Sequence, residues 1–134
     1  VIRISQTFEE ALTAEMKSIA ALEGRVYPAF APEATAGQGV PYLVYLSSPG
    51  LRTKTQDGYL TGRVVRGELN VVAARYVSLK TVSAAVLDRF ISFERRRIGT
   101  DGPLIQEVTY EQPLEMYEDK PGLYRCLIEF EVYY

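Results

Sequence analysis

Gly24-Arg25-Val26-Tyr27-Pro28, followed downstream by Val40-Pro41-Tyr42-Leu43-Val44-Tyr45, is the stretch whose reading decides the fold. Gly24 ends a helical pattern, because glycine takes positive φ without a Cβ penalty. Arg25-Val26-Tyr27 then reads as a very short strand. Pro28 to Pro41 is rich in Pro, Gly and Ala, includes the pair Ala31-Pro32, and reads as a loop. Tyr42 to Leu46 is a compact apolar run bounded by Pro41 and by Ser47-Ser48-Pro49-Gly50, as expected of a buried strand.

Upstream, the periodicity predicts a helix from Thr7 to Glu23. Phe8, Ala11, Leu12, Ile19 and Leu22 form its apolar stripe. Thr7 with Glu10 three residues later fits a capping box, and Glu9 and Glu10 suit the helix N-terminus. Downstream, Ser47 to Gly62 is a long polar excursion containing Arg52, Lys54, Gln56, Asp57 and Gly58. Asp57-Gly58 is a turn signal, so this segment is expected to be a mobile loop or a β-hairpin arm. Arg63 to Ala73 alternates. Val65, Leu69, Val71 and Ala73 share one face with Gly67, and Arg66, Glu68 and Asn70 share the other. A glycine inside such a strand indicates a bulge or a close packing contact.

A second helix is predicted from Ser78 to Phe93, with Leu79, Val82, Val86, Phe90 and Phe93 along one side. Glu94-Arg95-Arg96-Arg97 falls at its C-terminal end, where the helix dipole favours cations. A strand follows near Leu104 to Glu111, then an acidic connector from Gln112 to Gly122. The last strand places Tyr124, Cys126, Ile128, Phe130, Val132 and Tyr134 on one face, with Arg125, Leu127, Glu129, Glu131 and Tyr133 on the other. The predicted order is α-β-β-β-α-β-β. It describes an α+β fold with a mostly antiparallel sheet of four to five strands and two amphipathic helices packed on one face.

The 134 residues are read as one domain, long enough to bury a core without disulfides or metal. Hydrophobic content of 47% and charged content of 24% are those of an ordinary globular chain. No apolar run approaches the length of a bilayer span, so no membrane partner is expected. The N-terminus shows a capped amphipathic pattern in place of a cleavable apolar core. Histidine is absent, which removes Ser-His and Cys-His nucleophile activation and the commonest zinc ligand. There is no P-loop, no GxGxxG and no EF-hand loop. Cys126 is the one cysteine and reads as a small buried hydrophobe. No enzyme, metal site or cofactor is therefore expected.

The net charge of -2 is unevenly spread. Residues 1–46 have a net charge of -2, residues 47–103 of +5 and residues 104–134 of -5. Such asymmetry fits either self-complementary association or an ordinary solvated surface. The candidate interface residues are Arg52, Lys54 and Asp57 in the excursion, Arg95, Arg96 and Arg97 after the second helix, and Glu115, Glu118 and Asp119 in the acidic connector. The ten tyrosines leave a second class of reading open, a small nucleic-acid-binding module using a tyrosine-bearing sheet face.

The Gly-Arg-Val-Tyr-Pro segment, Ala31-Pro32 and Pro41-Tyr42 resemble the tail terminator, or head–tail joining (tail completion), proteins of long-tailed phages. The strand Arg66 to Val72 leading through Arg75-Tyr76 into a helix matches in position. So does the ending Gly122-Leu123-Tyr124-Arg125 with Phe130-Glu131-Val132-Tyr133. Family members often show Gln-x-Asp and an aromatic residue in the middle strand, where this chain has Glu68-Leu69-Asn70 and Val72. The resemblance implies a structural virion protein, assembled in the host cytoplasm, that forms a hexameric ring at the head–tail interface. The isolated chain is left open as a monomer that joins the ring in the particle. It also implies contacts with the tail tube protein on one side and the head connector or stopper on the other, with DNA passing through the hole.

Overall fold

The computed structural model describes residues 7–29, 40–48, 50–118 and 122–134. Its elements are α1 (Phe8–Lys17), a 3-10 turn (Ala20–Leu22), β1 (Val26–Pro28), β2 (Tyr42–Ser47), β3 (Leu51–Thr55), β4 (Gly58–Ala73), α2 (Tyr76–Ile91), β5 (Glu107–Tyr110), β6 (Leu114–Glu118) and β7 (Leu123–Tyr133). The fold is α+β, as the alternation and helical stripes predict. The strands form one sheet along the path β1-β2-β4-β7-β5, with β3 added to β4 and β6 added to β7.

Two long hairpins make up most of that sheet. β2 pairs antiparallel with residues 67–72 of β4, and β3 continues in the same direction along residues 58–64. β2 and β3 are thus one strand interrupted near Ser48, where the Ser48 hydroxyl accepts from the Arg66 N–H at 3.1 Å. β5 and β6 repeat the arrangement along β7, interrupted at 111–113 around Pro113, which has no N–H to offer a ladder. The hairpins join through β4 and β7, antiparallel over ten residue pairs from Val64↔Tyr133 to Ala73↔Tyr124. The pairing is mixed overall, because β1 runs parallel to β2.

Both helices cover the same face of the sheet. The core beneath them holds Phe8, Leu12, Met16, Leu43, Leu69, Val71, Leu79, Val86, Phe90, Ile128 and Val132. Aromatic contacts run through it from Tyr134 to Phe8 (5.6 Å), Phe8 to Phe130 (6.4 Å) and Phe130 to Phe90 (5.2 Å), tying α1 to β7 and α2. Such tilted and edge-on pairs add to the area they bury. A smaller cluster of Tyr42, Val44, Val72 and Leu123 sits on the other face, with Tyr27 against it.

Several boundaries differ from the sequence expectation. α1 stops at Lys17, because the Ser18 hydroxyl donates back to the Glu15 carbonyl and the chain tightens into a 3-10 turn. Its N-terminus is capped as expected, with Thr7 Oγ1 accepting from the Glu10 N–H at 3.2 Å. α2 ends at Ile91, so Arg95-Arg96-Arg97 lies in the turns beyond the helix. The strand expected near Leu104 to Glu111 shortens to Glu107–Tyr110, and the acidic connector contains the extra strand β6. Within the excursion expected from Ser47 to Gly62, β3 pairs with the start of β4 as the arm of the first hairpin.

Arg25 explains why its short segment matters. Its guanidinium donates to the carbonyls of Pro41 (2.9 Å) and Val40 (3.0 Å) and pairs with Glu23 at 2.7 Å. It therefore pins β1 to the start of β2, the residue before which is joined through a cis Val40–Pro41 bond. Ala31-Pro32 lies outside the described residues.

Candidate functional site

No cleft with converging nucleophile, base and orienting group is found among the described residues. The features that can act are surfaces. Four of them are built by the hairpins and the turns after α2.

The first is the arm. β7 accompanies β4 from Val64 onward, with Tyr134 exchanging backbone hydrogen bonds with Arg63, so the residues from Arg52 to Gly62 project past the shared sheet as a two-stranded ribbon. Arg52, Lys54 and Asp57 are all exposed on it, and Leu51 is 72% exposed at its base. Asp57 occupies the tip, its N–H donating to Thr55 Oγ1 at 3.3 Å. The structure thus brings these three predicted residues together on one element.

The second is the basic run, which divides by residue. Arg96 turns inward, donating to Glu15 Oε1 at 2.9 Å and Oε2 at 3.1 Å. Arg89 and the Gly99 N–H reach the same carboxylate, at 3.4 and 3.0 Å. The Glu15 side chain is only 11% exposed. Its pKa falls from 4.5 to about 2, chiefly through the Arg96 hydrogen bonds and against the opposing cost of burial. Arg97 donates to the Gly102 carbonyl at 2.6 Å. Arg95 is exposed, with φ of 61°. So two of the three arginines hold the turns after α2 in place, and Arg95 faces solvent.

The third is the β5–β6 edge, into which the acidic segment falls. Glu115 and Glu118 lie on opposite faces of β6, opposite Cys126 and Leu123 respectively. Glu115 pairs with Lys80 of α2, and Glu118 with Arg125 at 2.6 Å. Asp119 lies outside the described residues. The two glutamates do not form one patch, but the edge as a whole is exposed, with Glu107, Glu111, Tyr110, Leu114 and Met116 along it. Among the described residues no strand pairs with its outer side. Sequence reasoning passed over this strand because all but its last residue are exposed, which hides the period-two signal.

The fourth is the sheet face away from the helices. Across β2, β4, β7 and β5 it forms a shallow hollow of about 820 Å³ lined by Leu46, Ser48, Glu68, Glu111, Glu129 and Glu131, among others. Arg66 and the Tyr133 hydroxyl both donate to Glu131. These bonds lower the Glu131 pKa, Tyr133 contributing most, and raise that of Tyr133. Nearby, Asn70 donates to Glu68 at 3.1 Å and accepts from Arg125 at 3.3 Å.

Tyr42 and Tyr45 are buried, and burial raises the Tyr42 pKa. Cys126 is buried too, and desolvation pushes its thiol pKa upward, away from reactivity. Among the described residues no three acidic or thiol groups gather as a metal site, and no helix is long and apolar enough to cross a membrane.

The fold is similar to a chain of the solved structure described as "Virion of native gene transfer agent (GTA) particle". The TM-score is 0.67 at 18% sequence identity, covering 99% of this chain and 98% of that one. The likeness is one of fold. No protein-family model and no curated protein matches the sequence.

Proposed function

We propose that this chain is a non-enzymatic structural protein of a phage-like particle, and specifically its tail terminator. Six copies form a ring on the head-proximal end of the tail tube. One side of the ring meets the tube protein and the other the head connector or stopper, with DNA passing through the hole. The protein assembles in the host cytoplasm and remains in the particle. The observation that carries this reading is the likeness of fold, over nearly the whole chain, to a chain of a virion. The residues shared with the tail terminator pattern make it specific. Arg25 is one of them, and it clasps the start of β2.

A ring requires two different complementary patches on each subunit, because its contacts are heterologous. The projecting basic arm and the acidic β5–β6 edge supply two such patches. The nucleic-acid module is the weaker reading. A stacking platform needs exposed aromatics beside cations. The open sheet face instead carries Glu68, Glu129 and Glu131, and Tyr42 on that side of the sheet is buried.

Deleting the gene tests the proposal. The expected result is filled heads and separate tails that fail to join, with tails of irregular length. Purified protein should restore joining only by entering the particle. Normal particles formed without the chain, or rescue without its retention, would overturn the reading.

A further inference from the structure

We infer that the outer edge of β6 receives an extended segment of another protein of the particle, which adds to the sheet as one more strand and carries Lys or Arg among alternating apolar residues. The inference rests on the structural role proposed above and names the kind of partner that this edge takes.

The backbone is the first argument. Tyr134 and Arg63 exchange both backbone hydrogen bonds, so they are a hydrogen-bonded pair of the antiparallel β4–β7 ladder. Such pairs recur at every second residue. The even-numbered residues of β7 therefore bond to β4, and the odd-numbered ones to the strands on its other side. Arg125 and Leu127 stand opposite Met116 and Leu114. Leu114 and Met116 thus turn their backbone groups to β7, and Glu115 and Tyr117 turn theirs outward. Among the described residues no strand pairs with them. An open edge of this kind is a template for an extended segment of another chain.

The second argument is what flanks that edge. Side chains of an added strand alternate between the two faces of the sheet. On the open face they fall beside Leu114 and Met116, which are 57% and 38% exposed. On the helix side they fall beside Tyr117, which is 52% exposed. Its ring centroid lies 4.8 Å from that of Tyr124, which lies 5.9 Å from that of Tyr76 on α2. Tyr76 and the neighbouring Val77 are exposed as well. A short edge strand with apolar surface on both faces is suited to cover by a partner, and tyrosine is enriched where partners meet.

Charge selects the occupant. Residues 104–118 contain Glu107, Glu111, Glu115 and Glu118 and no Lys or Arg. Lys80 and Arg125 meet Glu115 and Glu118, while Glu107 and Glu111 are exposed. Such an edge repels nucleic acid and favours a cationic segment. The described edges of a second copy fit less well. β3 lies beside residues 58–64 of β4, at the end of the sheet away from β6, so the arm of a like-oriented neighbour passes it by. β1 is blunted, because Pro28 has no N–H and the Val26 N–H bonds back to the Gly24 carbonyl at 3.0 Å.

Two substitutions at Glu115 test the backbone pairing. Glu115→Pro removes the outward N–H and Glu115→Gln keeps it, and both remove the charge that meets Lys80. An edge proline whose N–H would face solvent is tolerated, so both variants should keep the wild-type circular dichroism. Glu115→Gln should enter particles as the wild type does, and Glu115→Pro about tenfold less. Equal entry of the two folded variants would overturn the inference. A benzophenone amino acid placed at position 116 identifies the occupant, and it decides alone if the proline variant fails to fold. In intact particles it should link to a different protein, within a stretch where Lys or Arg accompanies alternating apolar residues. Links only to another copy of this chain, links only to DNA, or no link in particles that hold the chain would overturn the inference and leave the structural role standing. If the wild-type chain is absent from particles, both fall.

Discussion

Gly67 has no room for a β-carbon. One built there would lie 2.1 Å from the Leu46 carbonyl oxygen and 2.8 Å from Phe130 Cζ. Backbone of β2 and a core ring would both have to move, so Gly67→Ala should destabilise the protein by about 1–3 kcal/mol. Thermal melting measures this, and an unchanged midpoint would show that the strands can part at no cost. This residue was legible in the sequence, because a lone glycine in an alternating strand has few other uses. The Glu15–Arg96 pair was not, since its members lie 81 positions apart and neither breaks a local pattern. That pair changes what a charge reversal should do. Arg95→Glu should leave stability within about 0.5 kcal/mol. Arg96→Glu should cost about 2–4 kcal/mol, because it leaves the nearly buried Glu15 carboxylate facing another anion. Equal melting of the two variants would contradict this division. The pH dependence follows from the same site. Glu15 has a folded pKa of about 2 against an ordinary 4.5, so it favours the folded state above pH 4.5 and loses that contribution as pH falls toward 2. The stability gap between wild type and Glu15→Gln should therefore be full near pH 6 and shrink below pH 4.5. A gap that is constant across that window would show that the carboxylate is not held as described.

At the scale of elements, the sheet is two interrupted hairpins joined by β4 and β7. The strands that bury one face were readable from their alternation, notably β4 and β7. β6 was not, because an edge strand exposed on both faces shows no alternation to read. The parallel direction of β1 was also hidden, since pairing direction depends on where the connector takes the chain and not on residues within the strand. The arm was readable from Asp57-Gly58 only as one of two outcomes, and the pairing of Thr55 with Gly58 settles it as a hairpin. Its position predicts its stability. Residues 63–73 of β4 lie between strands on both sides over most of their length, whereas residues 58–62 of β4 have only β3 beside them. Local openings are cheapest where few buried apolar groups oppose them. Amide exchange in the free chain should therefore be slowest in 65–72 and faster by orders of magnitude in 51–58. Incorporation into particles should then slow exchange in the arm. Protection of the arm equal to that of β4 in a proven monomer would contradict this.

The whole molecule joins a helix-covered side, an acidic open face and two unlike strand edges on one small scaffold. Composition alone made familiar enzyme chemistry unexpected, because an absent histidine and a single cysteine leave few ways to activate a nucleophile. The surplus of positive charge in residues 47–103 and of negative charge in 104–134 was also visible. What the sequence could not reveal is which of these charges the fold consumes internally. Arg96, Arg97, Glu115 and Glu118 are bonded within the chain, while Arg95, Glu107 and Glu111 are left on the surface. The proposed role therefore belongs to surfaces repeated around an axis, and its most direct test is an image of them in place. Electron cryomicroscopy of intact particles should find six copies of this chain as one closed ring at the head-proximal end of the tail tube, around a hole wide enough for duplex DNA. Density for the chain in the capsid shell or at the distal tip, or copies that do not close a ring, would contradict the account.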